Sequence, residues 1–302
     1  GEYNMKENNL TEGSILKTLI AFAIPFLIAN ILQSLYGAVD LFVVGRYCSA
    51  ESVAAVSTGT QVTQIITSLV TGLTLGSTIV IGQYMGNRDY ENVKKTIGTT
   101  LTVFAVVAVD LTVLILLCER WLLTILKTPE ESFELTMDYV TICSLGNIFV
   151  CGYNAISAVL RGYGDSTRPM IFVGIACVIN IILDFVFVKY FGMDVAGTAL
   201  ATIISQGLSM AIAVVYLKKN NFIFDFKLKS FKPVKAIVKK LAFVGIPISF
   251  QEMAVRISFL YLMAVMNSCG VYAAAVVGIS SKYDVFAMLS ATSMANALAA
   301  IT

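Results

Sequence analysis

Eight apolar segments, each long enough to cross a bilayer, constrain this chain more than any other feature. They lie near 17–46, 52–82, 94–118, 134–160, 169–190, 195–217, 241–268 and 272–302. A hydrocarbon core of ~30 Å takes about 20 helical residues, and every backbone polar group inside it must be satisfied within the segment. Hydrophobic residues make up 57% of the chain and charged residues 13%, which leaves no soluble domain of ordinary composition. Strict polar–apolar alternation is absent, so a membrane barrel is excluded. The expected fold is all-α, a polytopic transmembrane helical bundle.

The spans begin to repeat. Lys17-Thr18-Leu19 leads into Ile24-Pro25, and Lys239-Lys240-Leu241 leads into Ile246-Pro247, 222 residues further on (247 minus 25). Two units of that size would need about 440 residues, so the chain is expected to hold one unit and part of the next, as in the repeated lobes of transporters. The expected domains are an amino-terminal six-helix lobe over 1–217, a cytoplasmic linker over 218–240 and the first two helices of a second lobe over 241–302. Pro25 and Pro247 each remove a backbone donor, so both helices are expected to bend there. Pro25 is a candidate hinge. Gly72, Gly76 and Gly82 are expected to permit close helix packing.

Charge fixes the orientation. Counted with the N-terminus inside, the inner segments hold fifteen Lys and Arg, eight of them in 218–240. The outer segments hold four: Arg46, Arg120, Lys127 and Lys189. The excess predicts a cytoplasmic N-terminus in the cytoplasmic membrane. Within 218–240, Phe222, Phe224, Phe226 and Phe231 are interleaved with the lysines. Two readings stay open, an amphipathic stretch lying on anionic lipid or a plain inter-repeat linker.

The six cysteines form no CxxC pattern and read as small core residues. Histidine is absent, which removes the commonest metal ligand. No nucleophile–base pair or phosphate-cradling loop is visible, so an enzyme is not expected, and no resident cofactor is either.

Ionisable residues inside spans are costly, about 2.5–3.5 kcal/mol each on insertion scales, and each calls for a function. Asp40 lies six residues before Arg46, and Asp184 five before Lys189, so both sit roughly 8–9 Å inside the outer boundary. Tyr36 and Asn180 lie one turn deeper on the same faces. In the sixth span Thr202 falls about 12 Å in and Gln206 a further turn. This layer of carboxylate, carboxamide and hydroxyl oxygens suits Na⁺, with Asp40, Asn180 and Asp184 as ligands, or a proton shared between carboxylates. Glu252 and Arg256 are spaced i,i+4 and are expected to pair. Lys282 is a candidate cavity residue with them, and Asp110 in the third span has no assigned role.

These residues resemble the multidrug and toxic compound extrusion (MATE) transporters. The resemblance rests on Pro25 and Asp40, on Gly82-Gln83-Tyr84-Met85-Gly86-Asn87, and on Arg161-Gly162-Tyr163-Gly164-Asp165-Ser166-Thr167-Arg168-Pro169. It extends to Asn180 and Asp184 and to the run Val195-Ala196-Gly197-Thr198-Ala199-Leu200-Ala201-Thr202. It implies two six-helix lobes and cation-coupled (H⁺ or Na⁺) export of organic cations and other amphiphiles across the membrane, with no nucleic-acid partner. In the DinF-like branch it implies a polar cluster matching Asp40, Asn180, Asp184 and Thr202, near the bending Pro25. In the NorM-like branch a carboxylate of the seventh helix takes part, but Glu252 is about one turn out of that register, and the role is not carried over. Family members have roughly twelve helices, so the chain is expected to be truncated after the eighth. The alternatives are a lipid or lipid-linked oligosaccharide flippase of the related superfamily, or a non-transporting half-transporter or scaffold should 302 residues be the native length.

Overall fold

The computed structural model describes residues 15–126, 128–220, 222–268 and 288–300, and the described residues are helical with short connections. In chain order the helices are α1 (Ile15–Tyr47), α2 (Ala50–Gly86), α3 (Tyr90–Ile125), α4 (Glu130–Leu145), α5 (Asn147–Gly162), α6 (Thr167–Asp184), α7 (Asp194–Lys219) and α8 (Lys235–Ser268). A further helix, α9, covers 288–300. Six of these helices are long and apolar enough to cross a membrane, and the α4–α5 pair makes a seventh span if taken together. The all-α transmembrane architecture is therefore as expected. The last expected span lies partly outside the described residues.

The span expected at 134–160 is not one straight helix. It breaks at Gly146, with α4 and α5 inclined by 46°. Two neighbours account for the break. Ile203 of α7 packs where a side chain on Gly146 would stand. Thr112 of α3 donates to the Ser144 carbonyl at 2.8 Å, satisfying an acceptor freed at the break. One other span departs from a regular α-helix, and the two spans that carry prolines are continuous. A π-helical turn, Phe185–Tyr190, directly follows Asp184, and α1 and α8 run as uninterrupted helices through Pro25 and Pro247.

The linker sits against protein, not lipid. Phe222, Ile223 and Phe224 are buried, and Phe226 and Phe231 pack against the same core cluster as Tyr163 and Leu217. Thr102 of α3 donates to the Phe231 carbonyl at 2.6 Å. The Ser230 carbonyl comes so close to Gly98 that a Cβ there would collide with it. This corrects the amphipathic reading: burying aromatic area in the bundle offsets the cost of ordering the linker, and the lysines remain outside.

Helix α8 packs on α2 through small residues. Gly72 and Gly76 of α2 face Ser249 and Gly245 of α8, with a Cβ on Gly76 falling 2.7 Å from the Gly245 Cα. Ser249 donates to the Leu69 carbonyl at 2.9 Å. Small residues let the two backbones meet, the usual basis of helix association in lipid. On the other side Phe22, Ala23 and Phe26 of α1 pack against Ala297 and Ala300 of α9.

Candidate functional site

Helices α1, α6 and α7 bring the polar layer together. Asp40 stands on α1 beside Val43 and Val44, Asn180 and Asp184 stand one turn apart on α6, and Thr202 stands on α7. Asn180 and Asp184 are fully buried and Asp40 is 3% exposed. Asn180 Nδ2 donates to Thr202 Oγ1 at 3.4 Å, and Thr202 Oγ1 donates to Asp40 Oδ2 at 3.3 Å. The Asp184 carboxyl faces that of Asp40 closely enough to interact directly.

The acceptors left over define the site. Asp40 Oδ1, Asn180 Oδ1 and both Asp184 oxygens are buried without a hydrogen-bond partner. None of the ion pairs among the described residues involves either aspartate. Four buried oxygens converging without a donor or counter-charge are costly unless a cation or a proton joins them. Among the described residues, no three His, Cys, Asp or Glu side chains come together as a metal centre.

Other expected residues fall in different places. Tyr36 is buried near Asp40 and Ser205, and its hydroxyl has no hydrogen-bond partner. Gln206 is half-buried on α7, about one turn from Thr202, while its neighbour Ser205 is fully buried. Glu252 and Arg256 do not pair. Once Gly245 and Ser249 seat α8 on α2, Arg256 Nη1 reaches Gln64 Oε1 at 3.2 Å across the two helices. Asp110 is exposed on α3, away from the cluster. Lys282 lies outside the described residues.

Tyr139 and Thr60 were not anticipated. Tyr139 of α4 is buried, its ring packs where a side chain on Gly59 of α2 would stand, and its hydroxyl is 3.3 Å from Thr60 Oγ1. It lies within electrostatic range of Asp40. The signal was available: Tyr139 is five residues into the fourth span, about 8 Å deep, the depth that singled out Asp40.

Comparison with known proteins points the same way as the fold. A family model described as MatE matches residues 25–186. The chain is 28% identical over 295 residues to the "Probable multidrug resistance protein YpnP" of Bacillus subtilis, covering 97% of this chain and 66% of that protein. It is 30% identical over 292 residues to the "Probable multidrug resistance protein YoeA" of the same organism, covering 94% and 63%. The chain thus spans a little under two thirds of the length of these curated relatives. A solved structure described as the outward-facing conformation of a multidrug resistance MATE family transporter superimposes with a TM-score of 0.91, at 26% identity, over 99% of this chain and 67% of the other.

Proposed function

Because the chain belongs to the MatE family, we propose that it works as a cation-coupled antiporter, exporting organic cations and other amphiphilic drugs by alternating access. The observation that carries this reading is the set of four unpartnered buried oxygens on Asp40, Asn180 and Asp184. Carboxylate, amide and hydroxyl oxygens are hard ligands that fit Na⁺. Two facing buried carboxyls fit a single shared proton equally well. In either case charge arriving at the layer relieves the repulsion between Asp40 and Asp184 and draws α1 and α6 together. The names of the relatives support drugs as the exported class. The excess of inner lysines supports a cytoplasmic N-terminus in the cytoplasmic membrane.

Alternating access requires α1 to move relative to the second lobe, and Pro25 marks where it can. Before Pro25, Phe22 and Ala23 hold α1 to α9; beyond it, Asp40 ties α1 to α7 through Thr202. A proline between two such anchors removes one rung of the helical ladder and eases bending there. The flippase alternative calls for a cluster of Arg and Lys facing the interlobe space. Among the described residues the cations there are dispersed and each has a partner: Arg256 bonds Gln64, Lys240 stands over the Tyr84 ring and Arg161 over Phe26.

The test is dye efflux driven by an imposed ion gradient, in vesicles carrying the full-length protein. Asp40→Asn, Asp184→Asn and the double variant should each lose ion-driven efflux while keeping dye binding. Retention of ion-driven efflux by the double variant would sink the reading.

A further inference from the structure

A buried polar stripe runs along α7 beyond the residues discussed so far. Asp194, Thr198, Thr202, Ser205 and Ser209 recur at four, four, three and four residues, which keeps all five within about 80° of one face. Thr198, Ser205 and Ser209 are buried, as small hydroxyl residues at membrane helix contacts commonly are. Its middle member, Thr202, bonds Asp40 and Asn180. Its outer member, Asp194, is half-buried where α7 begins at the outer surface, beside the exposed Phe191 and Met193.

Asp194 is only half satisfied. Oδ2 accepts from Ser52 Oγ of α2 at 3.0 Å, while Oδ1 is buried without a partner. The titratable groups around it are Cys48 at the end of α1, which contacts it, Glu51 on α2, which is turned to Ser49, and Lys189 on the π turn. The Lys189 ammonium stands over the Tyr47 and Tyr190 rings, not over this carboxylate. Asp194 forms none of the ion pairs found among the described residues.

We propose that Asp194 and Thr198 form the outer route by which the coupling cation reaches Asp40 and Asp184, with the Asp194 carboxylate at its mouth. This rests on the cation-coupled reading given above. Asp194 to Thr202 is eight residues, about 12 Å along the helix, and Thr198 divides it into two steps of about 6 Å. One water molecule spans a step of that length between polar groups. Thr198 donates its proton to the Val195 carbonyl at 2.8 Å, which leaves its oxygen free to act as an acceptor. Val44, Val195 and Ala199 belong to one buried apolar cluster that joins α1 to the start of α7.

Two variants separate conduction from support. Asp194→Asn keeps an acceptor for Ser52, and asparagine tolerates the left-handed φ of 50° found here. Thr198→Val keeps the shape and removes the hydroxyl. Efflux of dye is measured in oriented vesicles against external Na⁺ and, separately, external pH, using whichever drives the wild-type full-length protein. Both variants should raise the half-saturating external cation concentration at least fivefold, with the rate at saturating cation within twofold of wild type. An unchanged half-saturating concentration overturns the route, as does a fall in maximal rate alone, which a structural role would give. If Asp40→Asn and Asp184→Asn retain coupling, the cation-coupled reading fails and takes the destination of the route with it. If those two abolish coupling while Asp194→Asn behaves as wild type, only the route fails.

Discussion

Asn30 Nδ2 of α1 donates to Ser293 Oγ of α9 at 3.0 Å, a polar contact between residues 263 apart in the chain. It sits one turn outward of Phe26, in the same face of α1 that carries the apolar contact with Ala297 and Ala300. Together these hold α1 against α9. Cysteines introduced as Asn30→Cys and Ser293→Cys in a background lacking the native cysteines should be bridged by a short bifunctional thiol reagent. Bridging should stop efflux, and reduction should restore it. Full activity of the bridged protein would show that this contact does not have to open.

The α2–α8 contact has no room to spare. A methyl at position 76 falls 2.7 Å from the Gly245 Cα, and backbone cannot yield as a flexible side chain does. Gly76→Ala should destabilise the protein by about 1–3 kcal/mol, the usual range for overpacking. A thermal melt in detergent checks it, and an unchanged or raised midpoint would contradict so close an approach.

The linker is held by its aromatic residues. Phe224 meets Phe226 and Phe231 edge-to-face, with ring centroids 5.1 and 5.3 Å apart. Phe224→Ala should cost about 3–5 kcal/mol, as for a buried core phenylalanine. Lys227→Ala, at an exposed position, should stay within about 0.5 kcal/mol of wild type. Equal effects of the two substitutions in denaturant unfolding would return the linker to the lipid-surface reading.

The turn between α2 and α3 carries a pH-dependent cap. Asp89 accepts from the backbone N–H of Asn92 at 3.1 Å and from its side-chain amide at 2.7 Å. These bonds hold its carboxyl below the ordinary 3.8. A lowered folded value means that the stabilisation is present above 3.8 and is lost as pH falls through the lower value. Asp89→Ala should therefore lower the melting midpoint at pH 7, and the gap to wild type should shrink below about pH 4. A gap independent of pH would show that the cap does not act through its charge.

Depth along a span was the most readable quantity in this sequence. It placed Asp40, Asp184, Asn180 and Thr202 in one layer, because a helix in a bilayer converts residue number into depth at 1.5 Å per residue. Rotation about the helix axis was harder to read. Gln206 and Ser205 differ by one residue and face different ways. Glu252 and Arg256 have the right spacing to pair, but the seat of α8 on α2 hands Arg256 to Gln64. The break at Gly146 was hidden for another reason: its causes, Ile203 and Thr112, lie on other helices. The linker phenylalanines carried an ambiguous signal, since aromatic residues among lysines suit either a membrane surface or a protein groove.

The central claim is that Asp40 and Asp184 hold the ion whose movement drives export, and the most direct test is to watch that ion. Full-length protein in proteoliposomes, with a pH- or Na⁺-sensitive dye sealed inside, is given an outward gradient of a cationic drug and no initial ion gradient. The account predicts ion movement opposite to the drug for wild type and none for the Asp40→Asn, Asp184→Asn double variant. Drug-driven ion movement that persists in the double variant would contradict it.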